Sequence, residues 1–156
     1  LQEDSGLQQN AKIRVLLADD HRVLRQGIRS IVAAYDHLEV VGEAGDGIEA
    51  VTLTQQLCPD VVVMDINMPR LNGIEATAWI RRTYPHVVVV GVSAIATEDT
   101  CQLMKAAGAT TVISKDAVEQ LQRVIRESVG QGSKSTGKQF KGIGSGIGVM
   151  CNPHFR

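Results

Sequence analysis

Two hydrophobic periods alternate along most of the chain. Short apolar runs rich in valine and isoleucine occur at Ile13–Ala18, Leu38–Ala44, Asp60–Asp65, Val87–Val92 and Thr111–Ser114. In Val61-Val62-Val63-Met64 and Val87-Val88-Val89-Val90 every position is apolar, as in a parallel strand covered on both faces. Between the runs, apolar residues recur at helical spacing. Val23, Gly27, Ile28 and Ile31 share one face, and similar stretches run over 48–57, 74–82, 99–107 and 118–129. Asp46-x-x-Glu49, Asn72-x-x-Glu75 and Asp116-x-x-Glu119 each set a short capping side chain three residues before a glutamate, marking helix starts. Pro59, Pro69 and Pro85 fall outside the predicted helices. Five successive strand–helix units with right-handed crossovers predict a doubly wound α/β fold, a five-stranded parallel sheet with helices on both faces.

The chain's 156 residues, 44% of them hydrophobic and 21% charged, suit one domain and exclude a chain disordered throughout. A domain of this size buries roughly two-thirds of its unfolded surface. The periodicity stops near Val129. Residues 130–156 hold seven of the 15 glycines and four basic residues (Lys134, Lys138, Lys141, Arg156) without an acid, so the net charge of −1 averages a +4 tail with a −5 body. The expected organisation is a polar extension over 1–11, a folded domain over 12–129 and a Gly/Ser/Lys-rich flexible tail over 130–156. No apolar run approaches the ~20 residues of a membrane span. Leu1–Asn10 has neither the basic start nor the apolar centre of a secretory signal, so a cytoplasmic location is expected. Cys58, Cys101 and Cys151 show no paired spacing, and reduced thiols are expected rather than a disulfide framework or a zinc site.

In a doubly wound sheet, ligands bind beyond the carboxyl ends of the strands. The first run ends in Asp19-Asp20, the third in Asp65 followed by Ile66-Asn67-Met68-Pro69, the fourth in Ser93 and the fifth in Lys115. Taken singly, Asp20 suits a helix cap, Asp65 a strand end, Ser93 a loop hydroxyl and Lys115 a solvated surface charge. Together they crowd three carboxylates at one rim. Such groups raise one another's pKa unless a cation or an ammonium offsets them, and an oxygen-rich cluster of this kind suits Mg²⁺.

The run Leu16-Leu17-Ala18-Asp19-Asp20-His21, the run Val61-Val62-Val63-Met64-Asp65-Ile66-Asn67-Met68-Pro69, the Gly73 that follows, Ser93-Ala94 and Lys115-Asp116 together resemble a response regulator receiver domain over residues 12–129. Asp20 and Asp65 stand 45 positions apart, Asp65 and Ser93 28, and Ser93 and Lys115 22, in register with that family. Asp20-His21, Val41-Gly42-Glu43-Ala44 and Asn72-Gly73-Ile74-Glu75-Ala76 most resemble the LuxR-type (NarL/FixJ-like) subfamily, whose members usually end in a helix-turn-helix domain. The resemblance implies a flavodoxin-like sheet of strand order 2-1-3-4-5. It makes Asp65 the phosphoacceptor, attacking a phosphohistidine on a sensor histidine kinase or phosphotransfer protein to give an acyl phosphate. Asp20, Asp65 and the Asn67 carbonyl would hold Mg²⁺, with Asp19 acting through water, while Lys115 helps neutralise the transferred oxygens. The Ser93 hydroxyl would move to the new phosphoryl group and so rearrange the fourth helix, fifth strand and fifth helix, the face on which a homodimer would form. The implied protein is a phosphorylated regulator rather than an enzyme. One position departs from the family: the usual aromatic residue three before the lysine is Val112, whose stiff β-branched side chain has no ring to swing.

Two other chemistries fail on their residues. Gly132-x-x-x-x-Gly137-Lys138 opens like a Walker A loop, but Gln139 stands where Ser or Thr is required and no strand precedes it. A magnesium-dependent phosphatase of the haloacid-dehalogenase type would want an Asp two residues after its nucleophile, where Asn67 stands. A helix-turn-helix domain needs about 60 residues with several helices, so DNA contact is expected only through an effector domain absent from this chain. The regulatory part of a transcriptional regulator and a stand-alone receiver acting through protein contacts both stay open.

Overall fold

Alternate residues of the central strands leave the sheet in opposite directions, and both directions are buried. In β3 (Val61–Asp65), Val61 and Val63 enter one apolar cluster while Val62 and Met64 enter the other. The computed structural model describes residues 11–132. Its remaining strands are β1 (Ile13–Ala18), β2 (Leu38–Ala44), β4 (Val88–Ser93) and β5 (Thr111–Ser114), all parallel, in the order β2-β1-β3-β4-β5. Helices α1 (Arg22–Ala33) and α5 (Leu121–Gly132) seal one face through Ile28, Val32, Leu121 and Ile125. On the other face α2 (Gly47–Leu57), α3 (Gly73–Thr83) and α4 (Glu98–Ala106) contribute Ala50, Ala76, Ile80 and Met104. This is the flavodoxin-like receiver fold expected from the sequence. The strand order reverses on passing from β1 to β3, which opens a crevice at their carboxyl ends.

Observed strands agree with the apolar runs to within one residue at each end. Helix α1 departs from its expected face. Val23 is 83% exposed, and the inward row is Leu24, Ile28 and Val32 at four-residue spacing, with Ile31 beside it. Val23 lies one position off that row in the first turn, so its side chain points away from the sheet. Helix α5 continues to Gly132, past the expected end near Val129. Beyond residue 132 the expected flexible tail and the Walker-like segment lie outside the described residues, as does most of the N-terminal extension. Cys58 is disulfide-bonded, which corrects the expectation of reduced thiols, whereas Cys101 is free. Disulfide pairing depends on the approach of two side chains in space, and a single pair leaves no spacing signature. Among the described residues no helix is long and apolar enough to cross a membrane.

Two of the three expected caps form. Asp46 Oδ1 accepts the Glu49 N–H at 2.9 Å while Glu49 Oε2 accepts the Gly45 N–H at 2.7 Å, and Asn72 Oδ1 accepts the Glu75 N–H at 2.9 Å. The third is corrected. Ser114, not Asp116, supplies the capping oxygen, accepting the Asp116 N–H at 3.2 Å to open a 3₁₀ segment (Lys115–Gln120), kinked at Ala117, ahead of α5. Asp46 also takes the guanidinium of Arg70, whose Nε lies 2.9 Å from Oδ2. Arg70 has a φ of 66°, a left-handed conformation that disfavours most side chains, and this pairing fastens the β3–α3 loop to the start of α2.

The Glu49 amide hydrogen bond first, and then Arg70, outweigh partial burial and hold the Asp46 carboxyl below the usual carboxylate range. A carboxyl with a depressed folded-state pKa stabilises the fold above its unfolded pKa, and that contribution is lost as pH falls through the folded value. Asp46→Ala is therefore expected to lower stability by about 1 kcal/mol at pH 7. Urea denaturation of both proteins at descending pH should show the gap narrowing on the acid side of the carboxylate range. A gap constant down to the acid limit would contradict this account.

Candidate functional site

Strands β1 and β3 pair in register, with Ala18 opposite Met64. The next residue on each, Asp19 and Asp65, therefore arrives side by side at the same rim. Main-chain contacts then fix both. The Asp19 N–H donates to the Ala44 carbonyl at 3.0 Å, and Asp19 Oδ1 accepts the His21 N–H at 2.7 Å. Beside Asp65, the Ile66 N–H donates to the Val92 carbonyl at 3.2 Å, and the Gly73 N–H donates to the Ile66 carbonyl at 2.8 Å. Helix α3 starts so close behind the acid that a Cβ on Gly73 would lie 1.9 Å from the Asp65 carbonyl oxygen. Only glycine permits that approach.

Both carboxylates are 3% exposed, and one ammonium serves them: Lys115 Nζ lies 2.9 Å from Asp19 Oδ2 and 3.1 Å from Asp65 Oδ2. Burial first, and then the charge of Asp19, push the Asp65 carboxyl above its ordinary value despite Lys115 and the Asn67 N–H, which reaches Asp65 Oδ1 at 3.4 Å. Burial opposes the charge on Lys115, but its hydrogen bonds to Asp19 and Asp65 outweigh that and hold the ammonium above its ordinary pKa. Asp20 stands at the wetter edge, 32% exposed, with His21 Nδ1 3.1 Å from its Oδ1. Ligand atoms of Asp19, Asp20, His21 and Asp65 all fall within 4.8 Å of one another. Three carboxylates offset by one ammonium leave the rim negative, and their hard oxygen donors match what a small divalent cation takes.

The expected residues thus divide into two groups. Asp19, Asp20, Asp65 and Lys115 converge, and Asn67 joins them through its main chain. Ser93 is buried at the end of β4, one residue beyond the Val92 that pairs with Asp65. Its hydroxyl is turned to its own loop, donating to the Ile95 carbonyl at 2.9 Å and accepting the Ile95 N–H at 3.2 Å. His21 joins the cluster although its chemistry was not anticipated; its only sequence signal was adjacency to the paired acids. Arg25 and Glu43 behind Asp19 were also missed, because each looks like an ordinary surface charge in the linear chain.

Residues 15–126 match the response regulator receiver domain family. The chain belongs to that family. It is 40% identical over 116 residues to the uncharacterized transcriptional regulatory protein YxjL of Bacillus subtilis, covering 74% of this chain and 53% of that one. A second relative is the protein-glutamate methylesterase/protein-glutamine glutaminase of Pyrococcus abyssi, 44% identical over 95 residues, which are 61% of this chain and 26% of the enzyme. The chain thus spans about half or less of the curated relatives it matches. Among solved structures, the response regulator domain of Thermotoga maritima CheB superposes with a TM-score of 0.72 at 34% identity, covering 76% of this chain and 97% of that one. The two-component response regulator of the LuxR family from Aurantimonas sp. SI85-9A1 superposes with a TM-score of 0.68 at 25% identity, covering 79% of this chain and 99% of that one. The receiver region is what this chain shares with both regulators and methylesterases.

The raised pKa of Asp65 has a stability consequence. A carboxyl whose folded pKa exceeds its unfolded value favours folding only while protonated, and above that range its ionised form weakens the fold. Asp65→Asn is expected to raise the thermal midpoint at pH 7 in metal-free buffer. The gain should vanish below the carboxylate range, where the native side chain is neutral too. Calorimetry at the two pH values checks this, and an equal or lower midpoint for the variant at pH 7 would contradict it.

Proposed function

We propose that the chain is the phosphoacceptor module of a two-component signalling protein and that Asp65 carries the phosphoryl group. The observation that carries this reading is the Asp65 carboxylate, buried at the switch point with Oδ2 on Lys115 and Asp19 alongside. The P–O bond to an Asp65 oxygen forms as the P–N bond of a phosphohistidine on a sensor kinase or phosphotransfer protein breaks. The reaction needs little covalent help beyond a positioned nucleophile and countercharge for three phosphoryl oxygens. Lys115 supplies one such charge from its seat between the two acids. Asp20, Asp65 and the Asn67 carbonyl would hold Mg²⁺, with Asp19 acting through water, and Mg²⁺ when bound supplies the remaining neutralisation. The donor set fits: oxygen-only carboxylates near one another, one of them partly exposed for entry.

Signalling then requires Ser93 to give up its two contacts with Ile95 and turn its hydroxyl to the phosphoryl oxygens. That exchange releases the segment leading into α4 and alters the α4, β5 and α5 face, on which a homodimer or another partner binds. Val112 offers no ring to follow the change. The LuxR-type motifs favour a transcriptional output, delivered to DNA by an effector domain on the same protein.

Incubation with acetyl phosphate and Mg²⁺, followed by peptide mass spectrometry, should place one phosphate on Asp65. Asp65→Asn and chelation of the metal should each abolish it. Lys115→Ala should slow labelling about 100-fold, the scale of losing one preorganised electrostatic donor. Undiminished labelling of Asp65→Asn would reject the assignment.

A further inference from the structure

Behind the acidic rim lies a cation that phosphoryl transfer, as described, does not use. Arg25, on α1, lines a cleft with Ile28, and its side chain is 18% exposed. A guanidinium in such a place is unfavourable unless paired, and a leucine or methionine would fill the same space more simply. Its partners are specific. Arg25 Nη1 donates to the main-chain carbonyl of Asp19. Arg25 Nε lies 3.7 Å from Glu43 Oε1, and Arg29 Nη1 lies 3.2 Å from Glu43 Oε2. Glu43 reaches Arg25 from the end of β2, where it pairs with Leu17, two residues before Asp19. Arg25, Asp19 and Asp65 also line one narrow cleft with Ile28, Val63 and Val92.

The target of Arg25 is informative. A cation introduced only to neutralise the rim would bind a carboxylate oxygen, as Lys115 does. Arg25 instead takes the carbonyl and leaves both Asp19 carboxylate oxygens to other partners. With the Asp19 N–H fixed on Ala44, the residue is pinned on both sides of its Cα. Mg²⁺ demands near-ideal octahedral geometry, so a loop that carries two of its acids must not drift.

We propose that Arg25 is a positioning residue for the divalent cation, holding the main chain of Asp19 in the geometry the cation needs, with Glu43 as the brace that holds Arg25. The proposal rests on reading the rim as a Mg²⁺ site. Positioning and simple electrostatics predict opposite signs. Deleting a nearby positive charge should tighten a cation site, whereas deleting a positioning group loosens it, on the order of 10-fold for partners one shell removed from the metal.

The test titrates the full chain with MgCl₂ and follows ¹⁵N amide shifts of the β1–α1 loop. Arg25→Ala should raise the Mg²⁺ dissociation constant on the order of 10-fold, and Arg25→Lys should recover part of the loss. Glu43→Gln should weaken binding in the same direction, and adding it to Arg25→Ala should change little further if it acts through Arg25. A merely structural role would lower the metal-free thermal midpoint but leave the dissociation constant of the folded protein unchanged. Wild-type or tighter binding by Arg25→Ala would overturn the proposal. If that variant does not fold, Arg25→Lys and Glu43→Gln decide in the same way, since native affinity in both would also overturn it. Failure of the unaltered chain to bind Mg²⁺ at all would instead remove the site on which the inference rests, an outcome distinct from equal binding by chain and variants.

Discussion

One ammonium stands between two buried carboxylates, and most of the local structure follows from that constraint. The in-register pairing of β1 with β3 brings Asp19 and Asp65 together whether or not their charges agree. Left alone they would repel in a poorly solvated place, and ionisation of at least one would be suppressed. Lys115 opposes this by sitting within 3.1 Å of both, yet it brings one charge against two, and the Asp65 carboxyl stays above its ordinary value. The leftover negative charge is the property the rim has to offer, because a divalent cation can answer to it. Placing the ammonium takes its own device. The Ser114 hydroxyl caps the turn that begins at Lys115, so the lysine leaves the end of β5 in a fixed direction.

The sheet was legible in the sequence because its physics is repetitive. A parallel strand covered on both faces must be apolar at every position, and Val61 to Met64 is. The acids could be found because they interrupt such runs at the one end where ligands bind. The caps at Asp46 and Asn72 were legible for a similar reason: a short acceptor three residues before a glutamate has few other uses. What escaped depended on geometry across elements. Ser114 displaced Asp116 as the cap because β5 ends in an extended residue whose hydroxyl is already aimed at the turn. Val23 appeared to belong to the core face because apolar character alone does not set helix phase. Arg25 took a place on that face for a reason located outside the helix, the carbonyl of Asp19 just past β1, which apolar periodicity does not encode.

Val112 shows how one departure changes the way the rest must work. It stands opposite Gly91 in the β4–β5 pairing, and a Cβ on Gly91 would come within 3.1 Å of Val112 Cγ2 and 2.9 Å of Met104 Cε. The space beside the strand is thus already shared between a stiff β-branched residue and an unbranched one. Met104 is fully buried on α4, with its sulfur 4.0 Å from the Thr77 hydroxyl of α3. Of the two, methionine is the side chain that can adjust by rotating about several bonds. A shift of the Ser93–Ile95 segment therefore meets a yielding contact at α4 and a rigid one at β5.

The rim also explains why stability is distributed as it is. Buried acids that exceed their countercharge weaken a fold, and the strain is tolerable only if the surroundings over-determine it. Here the surroundings do so from three sides. Two apolar clusters clamp the sheet between helices, Gly73 lets α3 close directly against the Asp65 main chain, and Arg25 with Ala44 pins Asp19. None of these contacts occupies a carboxylate oxygen. These three supports act through backbone atoms and apolar packing, whereas the carboxylate oxygens are engaged by Lys115 and by the amides of His21 and Asn67. A divalent cation entering the rim would therefore compete with one ammonium and two amide donors, not with the contacts that hold the main chain in place.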